Sequence, residues 1–259
     1  MMEKFRLDNK CSLITGGSRG IGFSIAKALA KAGSDIVLLA RNKKRLEQAQ
    51  DDLAKIGRDV RIYPFDMVEV DGIKEIYSKI IEDAGGIDIL INNAGGLRRG
   101  PAETLSLKDW NFVINLNLSS VFALSQAFAK ERIEKEKKGK IINISSVTSE
   151  VTRKHIAAYA ASKGGIRQLT KSLAVDWAQY HINVNAIGPG YFKTDLTQPL
   201  WQDEMFDNWI KKRTPEGRWG SPDELGYAAV FLASPASDFI TGQTLYVDGG
   251  FLSTMGSVS

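Results

Sequence analysis

The chain has 259 residues, 43% hydrophobic and 25% charged, with a formal net charge of +4. This ordinary globular composition excludes disordered and collagen-like chains. The mild basic excess is interleaved with Glu131, Glu134 and Glu136 where it is densest, which argues against nucleic acid as a partner. One cysteine, Cys11, excludes a disulfide-stapled domain; no apolar run approaches the roughly 20 residues of a membrane span, and the charged N-terminus lacks a signal core, so a cytoplasmic protein without a membrane partner is expected.

In chain order, residues 11–15 predict a buried strand and residues 20–32 a helix stopped by Gly33. A second apolar strand is predicted at 35–40, a charged amphipathic helix at 43–56 ended by Gly57, and a third strand at 60–65. A helix follows at 71–83, broken by Gly85 and Gly86, then a strand at 87–92 and one long helical region at 106–137. The remainder reads as a strand at 141–144, a helix at 157–180, and strands at 182–187 and 245–247. Strands alternating with helices predict right-handed βαβ units. The expected fold is a single α/β domain over residues 1–259, a doubly wound parallel sheet of seven strands with helices on both faces. The stretch from 191 to 220 breaks this rhythm with Phe192, Trp201, Phe206 and Trp209. It leaves the carboxyl end of a strand, where open α/β sheets bind ligands, and is expected to be a substrate lid.

Between the first strand and helix runs Thr15-Gly16-Gly17-Ser18-Arg19-Gly20-Ile21-Gly22. Glycines at such a strand–helix junction let a pyrophosphate approach the backbone, and the helix N-terminus offers unpaired N–H groups and partial positive charge. Gly16, Ser18, Arg19, Gly20, Ile21 and Gly22 are therefore candidate dinucleotide contacts. At the end of the second strand stand Arg41 and Asn42, where a free ribose hydroxyl would call for an acid. A cation there suits a 2′-phosphate, with Arg19 as a second, so NADP is expected in preference to NAD.

The loop pattern, with Asn92-Asn93-Ala94-Gly95 after the fourth strand and Tyr159-Ala-Ala-Ser-Lys163 on a helix, resembles the short-chain dehydrogenase/reductase family. The resemblance covers nearly the whole chain and continues through Asp66-Met67, Pro189-Gly190 with Thr194, and Val247-Asp248-Gly249-Gly250. It implies a Rossmann-type sheet, an oxidoreductase with a nicotinamide cofactor, and a homotetramer formed by the two long helices and the tail from Phe251. It further implies cofactor contacts at Asp66, Met67, Asn93, Ala94, Gly95, Tyr159, Lys163, Pro189, Gly190 and Thr194. The chemistry of the pair reads independently. Tyr159 and Lys163 are i and i+4 on one helix face. A phenol with an ordinary pKa of about 10 is a poor base, and a nearby ammonium is expected to lower it until it can exchange a proton with a hydroxyl. Serines 145 and 146 and asparagines 115 and 117 are rivals by position; the resemblance assigns Ser146 to the substrate oxygen and Asn117 to a water in the proton relay. His155, His181 and Cys11 form no zinc set, so no metal is expected.

Polar and cationic residues flank the expected pocket, with Arg99, Glu150, Arg153 and Tyr191, beside Ser146 and Tyr159, as candidate substrate contacts. An acidic polyol suits them better than a steroid or acyl chain. Ser149-Glu150 with Arg153, Gly190-Tyr-Phe-Lys-Thr194 and the segment 213–220 resemble the sugar-acid branch of the family, the gluconate 5-dehydrogenase-like members, and imply gluconate and 5-keto-gluconate as the substrate pair. A 3-oxoacyl-(acyl carrier protein) reductase is the alternative, and a catalytically silent NADP-binding scaffold ranks below both. Val175 and Asp176 stand where a carrier-docking cation would be expected.

Overall fold

The computed structural model of the protein describes residues 2–255; the last residues of the tail, 256–259, lie outside the described residues. The elements in order are β1 (Cys11–Thr15), α1 (Gly20–Lys31), β2 (Asp35–Ala40), α2 (Lys43–Ala54), β3 (Val60–Pro64), α3 (Ile73–Ala84), β4 (Ile89–Asn92), α4 (Leu107–Ile114), α5 (Ser120–Glu134), β5 (Gly139–Ile144), α6 (Ala157–Trp177), β6 (Ile182–Pro189), α7 (Gln198–Trp201), α8 (Glu204–Arg213), α9 (Pro222–Ala233) and β7 (Thr244–Val247). All seven strands pair in parallel, in the order β3-β2-β1-β4-β5-β6-β7. The chain starts at the centre, winds outward to β3, then returns beside β1 and winds the other way. The carboxyl ends of β1 and β4 therefore frame the crevice of a doubly wound sheet.

Strand residues are apolar in continuous runs because both faces are covered. Successive side chains point to opposite sides. Ile14 and Leu38 pack with Ile25, Leu29 and Leu225 under α1 and α9, while Leu13, Val37 and Val184 pack with Ile80, Leu124 and Phe128 under α3 and α5. Local chemistry sets the boundaries. Asn42 accepts the Arg45 N–H and starts α2, Ser106 accepts the Asp109 N–H and starts α4, and Gly85 in the left-handed conformation ends α3. The buried Arg132 guanidinium near the end of α5 donates to the Lys138 and Ile87 carbonyls and to Asp88, tying that helix to the starts of β4 and β5.

The predicted helix at 106–137 is divided. Between α4 and α5 lies a π-helical turn, Asn115–Ser119, and α5 stops at Glu134. By length and composition alone Leu107–Glu134 could cross a membrane, yet half of its most apolar stretch is buried inside the fold. The helix predicted to reach residue 180 ends at Trp177 and tightens into a 3₁₀ turn closed by His181 at φ 57°. β4 begins two residues later than predicted, where the Asp88 carboxylate, rather than a ladder carbonyl, accepts the Cys11 N–H. The 191–220 stretch folds into α7 and α8, and a single parallel bridge between Phe192 and Gly220 closes its base.

Candidate active site

The glycine loop folds tightly against the loop after β4. Gly16 adopts φ 65°, and its N–H donates to the Leu39 carbonyl at 2.7 Å. The Thr15 hydroxyl accepts the N–H groups of Asn93 (3.0 Å) and Ala94 (2.9 Å). The Asn93 amide donates to the Thr15 carbonyl at 2.9 Å and the Gly16 carbonyl at 3.3 Å. Asn93 is thus a latch between the two loops. A Cβ on Gly22 would lie 2.4 Å from the Asn93 amide nitrogen and 2.5 Å from the Gly16 oxygen, so the last glycine of the loop is required by this close approach. α1 then begins without a side-chain cap, its first N–H groups open toward the crevice. Thr194 faces it, 3.8 Å from where a Cβ on Gly20 would stand. This cradle of backbone donors at a strand crossover fits a dinucleotide pyrophosphate.

The other candidate cofactor residues surround the crevice. Arg41 pairs with Asp66 at 3.6 Å and Arg19 with Asp195 at 3.7 Å, both on the surface. Asn42 spends its side-chain oxygen on the α2 cap, and the Met67 side chain is buried in the core under α3, leaving its main chain for any ligand. The Gly190 N–H donates to Val247, and a Cβ there would meet the Asp248 backbone at 2.8 Å. Ser18 and Ile21 are half-buried on the same loop, as are Ala94 and Pro189's neighbour Gly190 on theirs.

Four residues converge at the ends of β4 and β5. Ser146, at the end of β5, accepts the Thr148 N–H with its own hydroxyl and so caps the turn that follows. Tyr159 and Lys163 share the face of α6 turned toward it, with the Lys163 ammonium 5.7 Å from the Tyr159 ring centroid. Lys163 is buried and donates to the Ile144 carbonyl at 2.6 Å. Asn117 sits in the π-helical turn; its oxygen accepts the Gly96 N–H (2.8 Å), and its amide donates to the Gly96 carbonyl and to the Ser162 hydroxyl, both at 3.0 Å. Ser162 in turn donates to the Tyr159 carbonyl at 2.7 Å. The π turn re-aims Asn117 inward, which a continuous helical register does not reveal. Ser145 points away, its hydroxyl donating to the Lys163 carbonyl.

The electrostatics correct one expectation. Burial raises the Tyr159 phenol above its ordinary value, and the groups that draw it back are Ser146 and Arg153 rather than Lys163. Burial also pushes Lys163 down to about 8. Desolvation dominates at the resting phenol, and the Lys163 ammonium is held at a backbone carbonyl. The phenol therefore rests as an acid.

On the substrate side, Arg99 and Arg153 form no ion pair among the described residues. Burial and the charge of Arg153 lower Arg99, and both arginines draw down Tyr191, whose burial raises it. Arg98, by contrast, pairs with Asp109 and stacks on Phe112. Tyr191 packs against Phe206, Trp209, Trp219 and Phe251 at centroid distances of 5.4–6.2 Å. Glu150 is engaged elsewhere: its carboxylate accepts from Arg167 and Tyr246, both at 2.7 Å. Sequence reading missed Thr15, Ser162, Arg167 and Tyr246. Thr15 carries a signal, a hydroxyl at the end of the strand that runs into the glycine loop, whereas Tyr246 lies too far along the chain to be paired with Glu150.

A proton-exchanging phenol, a buried ammonium beside it and a dinucleotide cradle across the crevice define an oxidoreductase that works on CH–OH groups with a nicotinamide cofactor. Residues 16–252 match the family described as enoyl-(acyl carrier protein) reductase, and the chain belongs to the short-chain dehydrogenase/reductase family. It is 46% identical over 248 residues to gluconate 5-dehydrogenase of Gluconobacter oxydans (strain 621H), covering 96% of each chain. It is 45% identical over 252 residues to 5-keto-D-gluconate 5-reductase of Escherichia coli (strain K12), covering 97% of this chain and 99% of that one. Among solved structures, a gluconate 5-dehydrogenase from Burkholderia cenocepacia J2315 in complex with NADP and tartrate superposes with a TM-score of 0.94 at 45% identity, over 98% and 99% of the two chains.

Proposed function

We propose that this protein interconverts the alcohol and ketone of a sugar acid, gluconate and 5-keto-gluconate, with NADP. The observation that carries the reading is the pair Arg99 and Arg153, without acidic partners among the described residues, both close enough to Tyr191 to draw its phenol down and Arg153 close enough to do the same to Tyr159. Two such guanidinium groups beside a phenol suit a carboxylate-bearing substrate. In reduction, Ser146 hydrogen-bonds the substrate ketone oxygen, Tyr159 gives it a proton, and the charge of Lys163 stabilises the phenolate left behind. NADP, when bound along Gly16–Gly22, Asn93–Gly95 and Thr194, supplies the hydride. Asn117 keeps the 95–96 loop and α6 in register, and the 191–220 segment covers the substrate. A panel of aldonates, keto-aldonates and acetoacetyl thioesters tests the substrate class. Turnover is expected on 5-keto-gluconate, and turnover confined to thioesters would replace the reading by carrier-linked acyl reduction.

The NADP preference rests on Arg41, with Arg19 as its partner across the loop. Arg41→Asp removes a charge-assisted contact worth about 1.5–3 kcal/mol and adds a like charge, so the ratio of kcat/KM for NADP over NAD is expected to fall by on the order of 100-fold. An unchanged ratio would take Arg41 out of cofactor choice. We further propose a homotetramer. Leu107 on α4, Phe122 on α5 and Val175 on α6 are 78%, 43% and 79% exposed, apolar positions suited to a self-association surface. Sedimentation at low concentration is expected to give a tetramer, and a stable monomer would remove the proposal.

A further inference from the structure

The last ladder bond holding the end of β5 is the one from Ser145 N–H to the Ile187 carbonyl at 2.7 Å. Beyond it Ser146 depends on the loop that follows. The Ser146 carbonyl accepts the Ser149 N–H at 3.0 Å and the Ser149 hydroxyl at 2.7 Å. That hydroxyl lies 2.9 Å from the Tyr246 phenolic oxygen. The single phenolic proton of Tyr246 is shared between that hydroxyl oxygen and a Glu150 carboxylate oxygen at 2.7 Å, and Arg167 donates to the same carboxylate oxygen from α6, one turn beyond Lys163. Tyr246 lies on β7, the strand at the edge of the sheet. An edge strand and the helix that carries Tyr159 thus grip the 147–150 loop from two sides, through one carboxylate.

We propose that Tyr246, Glu150 and Arg167 are positioning residues that fix the main chain of Ser146, and through it the hydroxyl that faces the reacting oxygen. The assignment gives Glu150 a task away from the substrate. Glu150 is exposed, but one of its carboxylate oxygens is held by both a guanidinium and a phenol from two different elements, which restricts the loop more than a single surface ion pair does. Displacements of about 1 Å at a reacting group cost up to about 100-fold in rate, so an intermediate loss is expected when the grip is loosened. The proposal rests on the class of reaction and on Ser146, and is independent of which ketone is the substrate.

The test is steady-state kinetics on the full chain, using whichever ketone the wild type turns over, so that a failure of the sugar-acid reading changes the substrate and not the comparison. Tyr246→Phe and Arg167→Ala are each expected to lower kcat about tenfold, with KM for the cofactor unchanged and the melting temperature within about 2 °C of wild type. Arg167→Lys is expected to recover part of that loss. Combining Tyr246→Phe with Glu150→Gln, which keeps the side chain's shape, is expected to add little, because both act through one chain of contacts. Unchanged kcat in the single variants would overturn the proposal. So would losses that multiply in the double variant, or a rise in substrate KM at constant kcat for Glu150→Gln, which would return Glu150 to the substrate.

Discussion

Tyr159→Phe is expected to reduce turnover by on the order of 10³-fold while cofactor affinity stays within twofold of wild type, as read by NADPH oxidation and by titration of cofactor fluorescence. The substitution removes one oxygen and keeps the ring. The ring, 5.7 Å from the Lys163 ammonium, stays in place, so packing around the site is retained. What is lost is the acid that, in the proposed reaction, protonates the ketone oxygen. Lys163 does not take over, because its ammonium is anchored at the Ile144 carbonyl, 5.7 Å from the centroid of the ring whose hydroxyl would reach the ketone. Ser146 cannot either, because an aliphatic hydroxyl is a far weaker acid than a phenol. The same geometry sets a pH dependence. Burial pushes Lys163 down to about 8, and in the proposed reduction its charge, 5.7 Å from the ring, stabilises the phenolate once it forms. The reductive rate is therefore expected to hold below that pH and to fall as pH rises through it. Residual activity within tenfold of wild type, or a loss of cofactor affinity that accounts for the whole effect, would remove Tyr159 from its role.

What the sequence discloses here depends on how far each interaction reaches along the chain. The seven strands, their burial and the helix starts are written in runs of a few residues, so the doubly wound sheet was legible: Asn42, Ser106 and Gly85 mark their helix ends by local chemistry alone. The glycine loop was legible for the same reason. The i,i+4 relation placed Tyr159 and Lys163 together correctly, but the sign of the phenol's shift depends on burial by residues distant in sequence, and there the local expectation was reversed. The π turn at 115–119 replaces one helical register by another without changing composition, so periodicity ran straight through it. Glu150 looked available because its partners, Arg167 and Tyr246, become neighbours only when α6 and β7 close around the loop. Arg98 is adjacent to Arg99 in sequence, and the fold commits it to Asp109 and Phe112.

The second large effect is expected at Gly22. Alanine there would set a methyl group 2.4 Å from the Asn93 amide nitrogen and 2.5 Å from the Gly16 oxygen. Neither neighbour is free to yield. Asn93 is held by donating to the Thr15 and Gly16 carbonyls, and Gly16 is held by its N–H bond to Leu39. Relief requires either that the Asn93 latch opens or that the first turn of α1 moves away from the loop. Both displace the backbone donors that would meet a pyrophosphate. Overpacking of this kind costs about 1–3 kcal/mol in stability, and a comparable loss of about 2.7 kcal/mol in binding corresponds to about 100-fold in cofactor affinity. Two other glycines separate the causes. Gly57 has φ 84° with nothing within 4 Å of a Cβ, and it lies at the end of α2, away from the crevice. Gly57→Ala carries only left-handed backbone strain, about 1 kcal/mol, and is expected to lower the melting temperature without touching cofactor affinity. Gly20, at φ 55° with Thr194 at 3.8 Å as its nearest neighbour, adds similar strain inside the cradle but no collision, so Gly20→Ala is expected to fall between the two. Cofactor titration and thermal melts on the three variants give the order Gly22→Ala, Gly20→Ala, Gly57→Ala in lost affinity. If Gly22→Ala binds NADPH as the wild type does, the close approach of the 93–95 loop to the glycine turn is not what shapes the cofactor cradle.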